Sequence, residues 1–133
     1  MKALDTNVLI RFLVRDDEEM ARKTCDLLEH VQIRKERLLI PTPVLLETFW
    51  VLQSYYSFTR TDILDVVEKL AGLPALEFEQ ASLPWKFLEV GRATRLDLAD
   101  ILIGVSARAR GCEVTLTFDK KAGRSDLFEI LGQ

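Results

Sequence analysis

Four carboxylates stand at positions where an α/β chain would concentrate its chemistry. Asp5 closes the short apolar-biased opening Met1 to Leu4 and runs into Thr6-Asn7, while Asp119 closes the run Val114-Thr115-Leu116-Thr117-Phe118. In parallel sheets the carboxyl ends of the strands are the working end, because loops and helix starts converge there. Glu47 is the one charged residue between Val44 and Tyr56, and Asp100 sits in Leu98-Ala99-Asp100-Ile101-Leu102-Ile103. Each falls in the opening turns of an otherwise apolar helix, from which a side chain would reach over the same crevice. Taken singly, Asp5 and Asp119 also read as turn residues and Asp97 as a helix N-cap. For Glu47 and Asp100, apolar neighbours on both sides argue against a solvated face.

Carboxylates about 4 Å apart repel by roughly 4 kcal/mol per pair at an effective dielectric near 20, so a converging quartet calls for a cation. Oxygen donors without histidine or thiolate favour a hard ion, magnesium or manganese, which keeps waters and accepts phosphate oxygens from a substrate. That is the chemistry of phosphodiester hydrolysis. One ion lowers the pKa of an attacking water; a second, about 3.5 to 4 Å away where both are used, neutralises the leaving oxygen. The pattern leaves open one ion or two.

Other chemistries find no support. His30 is the single histidine, lies in the polar run Glu29-His30-Val31-Gln32 and has no serine or cysteine nucleophile motif to serve. It reads as a solvated helix residue. Cys25 and Cys112 are far apart and lack C-x-x-C spacing, so neither a zinc site nor a disulfide framework is suggested and reduced core thiols are the expectation.

The elements that must position the acids follow from periodicity. Val8 to Val14 resumes an apolar pattern after the first motif. From Asp16 to Ile33, Met20, Leu27, Leu28 and Val31 recur at helical spacing behind an acidic start that suits the helix dipole. Leu38 to Ile40 is a short strand, stopped by Pro41-Thr42-Pro43 before a helix that begins near Thr42. Thr59 to Asp62 starts another helix, ended by Gly72 and Pro74, so these two helices form a hairpin between Thr42 and Leu73. Ala75 to Phe78 is a weak strand. Helices follow from Ser82 to Thr94 and from Asp97 to Arg110, then strands from Cys112 to Phe118 and from Phe128 to Leu131.

This alternation implies an α/β fold with a short, mostly parallel central sheet sandwiched between helices. With 133 residues, 48% of them hydrophobic, one core and one domain over residues 1–133 are expected. A formal charge of -3 argues against a surface that grips nucleic acid everywhere, so any such contact must be local. No apolar stretch approaches the roughly 20 residues that span a bilayer, and no signal-peptide core opens the chain, so a cytoplasmic protein without membrane contact is expected.

Asp5-Thr6-Asn7 after an amino-terminal strand, Glu47 in Val44-Leu45-Leu46-Glu47, Asp100 in its apolar helix and Thr117-Phe118-Asp119 together resemble the ordered signature of PIN domains. The resemblance runs along essentially the whole chain. It implies a PIN-domain ribonuclease like the VapC toxins of type II toxin-antitoxin systems, dependent on magnesium or manganese held by Asp5, Glu47, Asp100 and Asp119. Thr6 and Asn7 match the family's polar shell beside the first acid, and Thr117 its hydroxyl near the fourth. Asp97 is read as a cap or supporting residue. An acidic RNA-binding enzyme must bring its positive charge beside the site, for which Arg11, Arg15, Lys120, Lys121 and Arg124 are the candidates.

The implied partners are RNA, a cognate VapB-like antitoxin and a second copy of the chain. Phe49, Trp50, Tyr55, Tyr56 and Phe58 crowd the helical hairpin and offer a groove for an amphipathic antitoxin segment or a homodimer. A haloacid-dehalogenase-type phosphatase would need a second aspartate where Asn7 stands, and a response-regulator module would need an acidic pair before its aspartate. The alternatives kept are a catalytically silent PIN-like protein acting by partner binding and a PIN-like DNA nuclease, the latter usually longer.

Overall fold

The computed structural model describes residues 1–132 and divides the chain into two compact units, Met1–Glu79 and the residues from Gln80 onward. In the first unit a three-stranded parallel sheet has the order β1 (Lys2–Ala3), β2 (Leu38–Ile40), β3 (Leu76–Phe78). Lys2 registers with Leu38, and Leu38 in turn with Leu76. Leu4 extends the ladder by donating to the Leu39 carbonyl at 2.9 Å. Leu38 and Ile40 are buried together with Leu76 and Phe78, so the middle and far strands anchor the core.

Four helices complete this unit: α1 (Thr6–Val14), α2 (Glu18–Ile33), α3 (Thr42–Tyr55) and α4 (Arg60–Ala71). The start of α2 lies two residues later than periodicity predicts, because Asp17 is its cap, accepting from the Met20 amide at 3.0 Å. Asp16 is drawn out of the helix instead by Arg11, at 2.6 Å, and by the Tyr56 hydroxyl, at 2.7 Å. The buried stripe of α2 runs through Ala21, Thr24 and Val31, leaving Met20 and Leu27 at the surface. Thr59 and Asp62 form a reciprocal capping box that opens α4.

The second unit holds α5 (Leu83–Ala93), α6 (Leu98–Ala109), β4 (Thr115–Thr117), a 3-10 turn (Ala122–Arg124) and β5 (Phe128–Ile130). Pro84 occupies the first turn of α5, where its missing N–H costs nothing. Strands β4 and β5 pair in parallel, Thr115 with Phe128 and Thr117 with Ile130. The ladder is shorter than the predicted Cys112 to Phe118 because its partner strand supplies only three residues. Phe87, Ile101, Leu102 and Leu127 form the core. A Cβ on Gly104 would lie 2.9 Å from the Leu127 Cβ, so α6 meets this segment at backbone distance.

The class is thus α/β, with six helices and short parallel strands among the described residues, as periodicity implies, and the strands form one parallel sheet in each unit. Cys25 and Cys112 are free thiols, but neither is in a core: Cys25 is half-buried with its sulfur 3.0 Å from the Arg15 guanidinium, and Cys112 is exposed beyond the end of α6. His30 is exposed as expected. No helix among the described residues is long and apolar enough to cross a membrane.

Candidate functional site

In the first unit the acids gather at the carboxyl end of the sheet. Asp5 follows β1 with extended backbone and caps α1, its Oδ1 accepting from the Thr6 amide at 2.7 Å. The Thr6 side chain turns inward, 7% exposed, and its Oγ1 finds no protein partner. Asn7 is exposed in the first turn of α1. Glu47 lies in the second turn of α3, which leaves β2 after Pro41, so the adjacent parallel strands deliver Asp5 and Glu47 to the same sheet end.

Glu47 is exposed, contrary to the expectation from its apolar neighbours. The reason is helical geometry. Pro43, Glu47, Trp50 and Ser54 share one stripe of α3 that faces water, while Leu45, Thr48, Phe49 and Leu52 are buried on the other side. A helix apolar on most of its circumference therefore shows both its acid and a tryptophan, 59% exposed, one turn later.

Glu79, immediately after β3, is a third acid at this sheet end, outside the quartet expected from the sequence. Its Oε1 accepts from the Thr42 amide at 2.7 Å. It serves as the N-cap acceptor of α3, whose own cap position is Pro41 and provides no side-chain oxygen. The signal was present: an acid directly after a strand, the same rule that singles out Asp5.

In the second unit Asp97 caps α6 through the Ala99 amide at 2.9 Å, as predicted, and Asp100 follows within the first turn. Burial holds the Asp100 carboxyl above its ordinary pKa, and the neighbouring charges of Asp97 and Asp119 push it the same way, opposed by Lys121. Asp119 follows β4, and its Oδ1 accepts from the amides of Lys121 at 2.8 Å and Ala122 at 3.4 Å. Thr117 Oγ1 in turn accepts from the Asp119 amide at 3.0 Å, fixing the turn that presents the acid. The Thr115 hydroxyl is buried without a partner.

The basic candidates differ in how they are occupied. Lys120, Lys121 and Arg124 are exposed around the turn after β4. Arg15 closes α1 in the left-handed region, φ 58°, with its guanidinium on Cys25. Arg11 is committed to Asp16. Of the aromatic set, Phe49 is buried and Tyr56 and Phe58 are half-buried, whereas Trp50 and Tyr55 stand exposed with rings edge to face, centroids 5.7 Å apart. Trp85 on α5 is also exposed.

Among the described residues no three His, Cys, Asp or Glu side chains are placed so that they alone would hold a metal ion. The donor chemistry nevertheless suits a hard cation: carboxylates at strand ends and helix starts, one of them, Asp100, destabilised as an anion by burial and then by Asp97 and Asp119.

Comparison with known proteins agrees with this class of fold. The PIN domain family model matches residues 2–126. The chain belongs to the PIN domain family. It is similar to a VapC ribonuclease of Aquifex aeolicus (strain VF5), with 26% identity over 121 residues, covering 91% of this chain and 89% of that protein. No solved structure matches it.

Proposed function

We propose that this chain is a metal-dependent endoribonuclease and the toxin of a toxin-antitoxin pair, acting as one PIN domain over residues 1–133. The observation that carries the reading is the family match from residue 2 to 126, along which Asp5, Glu47, Asp100 and Asp119 fall at strand ends and in the opening turns of helices. Resemblance to a VapC ribonuclease over most of both chains supports RNA as the substrate and a VapB-like protein as the inhibitor.

In this reading Asp5, Glu47, Asp100 and Asp119 hold magnesium or manganese. The ion, when bound, supplies Lewis acidity toward the scissile phosphate and lowers the pKa of water. Asn7, exposed beside Asp5, offers an amide donor to a phosphate oxygen, and Thr6 Oγ1 is a spare polar atom behind it. Thr117 positions Asp119 through the backbone, and Asp97 fixes the start of α6 ahead of Asp100. Lys120, Lys121, Arg124 and Arg15 bring local positive charge to RNA, with Arg11 released for this only if it leaves Asp16. The exposed Trp50 and Tyr55 offer apolar surface to an antitoxin helix or a second copy of the chain. The cytoplasm is the compartment that fits such a substrate and partner.

The test is RNA cleavage by the purified chain with magnesium or manganese, with chelator, and with Asp5→Asn. Activity is expected to need the ion and to fall about 100-fold or more in the variant. Full activity in chelator, or in Asp5→Asn, overturns the assignment.

A further inference from the structure

At the amino-terminal ends of β1 and β2, opposite the end that carries Asp5, the first unit contains a cavity of about 420 Å³. That volume lies within the roughly 300–1,000 Å³ of small-ligand sites. Its wall carries Lys2, Arg34 and Arg37 against the single carboxylate of Glu36, in a chain whose formal charge is -3. Lys2 and Arg34 meet no carboxylate among the described residues. Arg37 meets Glu77 at 3.5 Å in a pair open to solvent, which constrains it little.

The local fold explains why these cations are displayed. The carbonyl end of α2 is satisfied by backbone: Arg34, Lys35 and Glu36 donate their amides to His30, Gln32 and Val31. The basic side chains are therefore not spent on capping. Lys35 takes a left-handed conformation, φ 57°, that normally favours glycine, and this turn returns Glu36 and Arg37 to the cavity wall. His30, also in the wall, lies with Nδ1 2.7 Å from the Asp26 carbonyl, which only accepts, so Nδ1 carries the proton and Nε2 is the ring's remaining polar atom. Leu27, Val31 and Leu38 supply an apolar floor.

We propose that this cavity binds a nucleoside phosphate, either a free nucleotide or a nucleotide unit of an RNA chain. Lys2, Arg34 and Arg37 hold the phosphate, for which guanidinium groups provide paired donors, and the base lies on Leu27 and Val31. Within the first unit the site lies at the opposite sheet end from Asp5 and Glu47, and it does not depend on the activity assigned to the acidic residues.

Calorimetric titration with 5′-AMP, inorganic phosphate and a short 2′-O-methyl oligoribonucleotide, which resists cleavage, tests the proposal. Saturable binding of 5′-AMP is expected, weaker for inorganic phosphate, at least tenfold weaker in the double variant Arg34→Ala with Arg37→Ala, and intermediate in Arg34→Lys, which keeps the charge but loses the paired donors. Amide shifts in the wild-type chain should cluster between residues 27 and 38, which locates the site without any variant. Tighter binding of the oligonucleotide than of 5′-AMP, lost in the same double variant, assigns the RNA chain as the source; the reverse order assigns free nucleotide. Absence of saturable 5′-AMP binding, unchanged affinity in the double variant, or inorganic phosphate binding as tightly as 5′-AMP overturns it. A chain that binds 5′-AMP but lacks ribonuclease activity, or the converse, separates this proposal from the function proposed above.

Discussion

Asp100 makes the electrostatic cost of an acidic centre measurable at a single residue. Burial, then Asp97 and Asp119, hold its carboxyl above the ordinary range, so the folded chain keeps that proton to higher pH than the unfolded chain does. Ionisation of Asp100 therefore destabilises the fold as pH rises from the ordinary carboxylate range through the raised value. Asp100→Asn, measured in chelator, is expected to be more stable than wild type at pH 7, by less than about 1 kcal/mol, with the gain vanishing near pH 3. Thermal unfolding across pH checks it; a destabilised variant at pH 7 contradicts the sign. The place of Asp100 was legible in the sequence because an acid in an apolar run is conspicuous, and that of Asp119 because it closes a strand. The exposure of Glu47 was not, since an almost wholly apolar helix gives no periodicity from which to choose its wet face, and the stripe through Pro43, Glu47 and Trp50 is set by packing. The place of Glu79 directly after a strand was legible, but its role was not, because a cap acceptor 37 residues from its helix start is a tertiary fact.

Among the elements, the boundaries least visible in the sequence are those held by long-range contacts. The α1 to α2 turn is tied to the end of α3 by Asp16, which receives Arg11 from α1 and the hydroxyl of Tyr56, the C-cap of α3. The Tyr56 hydrogen bond, more than the Arg11 charge, lowers the Asp16 pKa. A lowered carboxylate stabilises the fold above its ordinary pKa, and that contribution is lost as pH falls through the lowered value. In Tyr56→Phe the Asp16 carboxyl is expected to titrate at higher pH than in wild type, read by carboxyl-carbon NMR, and acid unfolding should begin at higher pH. An unchanged Asp16 titration removes the tie. Helix existence was legible for α2, α4, α5 and α6 from apolar spacing and from caps such as Thr59 with Asp62, and for α3 from the prolines at its start, whereas α1 showed in the sequence only as an apolar pattern from Val8 to Val14. Strand lengths were not, because a ladder extends only as far as its partner, as β4 does against the three residues of β5.

For the whole molecule, the proposed RNA substrate requires an acidic chain to confine its attraction to a few cations, which fixes how binding responds to salt. With Lys120→Ala and Lys121→Ala combined, the slope of log affinity against log salt for a single-stranded RNA is expected to shrink by about 1.4. Filter binding at several salt concentrations measures it, and an unchanged slope moves the RNA track elsewhere. Residues matching the family run through both units, so the motifs could be ordered from sequence alone, whereas the division at Glu79 left no mark in composition. The outward placement of Trp50 and Trp85 has an optical consequence. They are the chain's two tryptophans, one in each unit, and both are more than half exposed. Indoles already in contact with water emit at long wavelength in the native protein, so denaturation will scarcely shift their colour. Intrinsic fluorescence in this protein is thus a poor gauge of folding and a sensitive one of coverage: a blue shift on mixing with another macromolecule will report that an indole has been taken out of water.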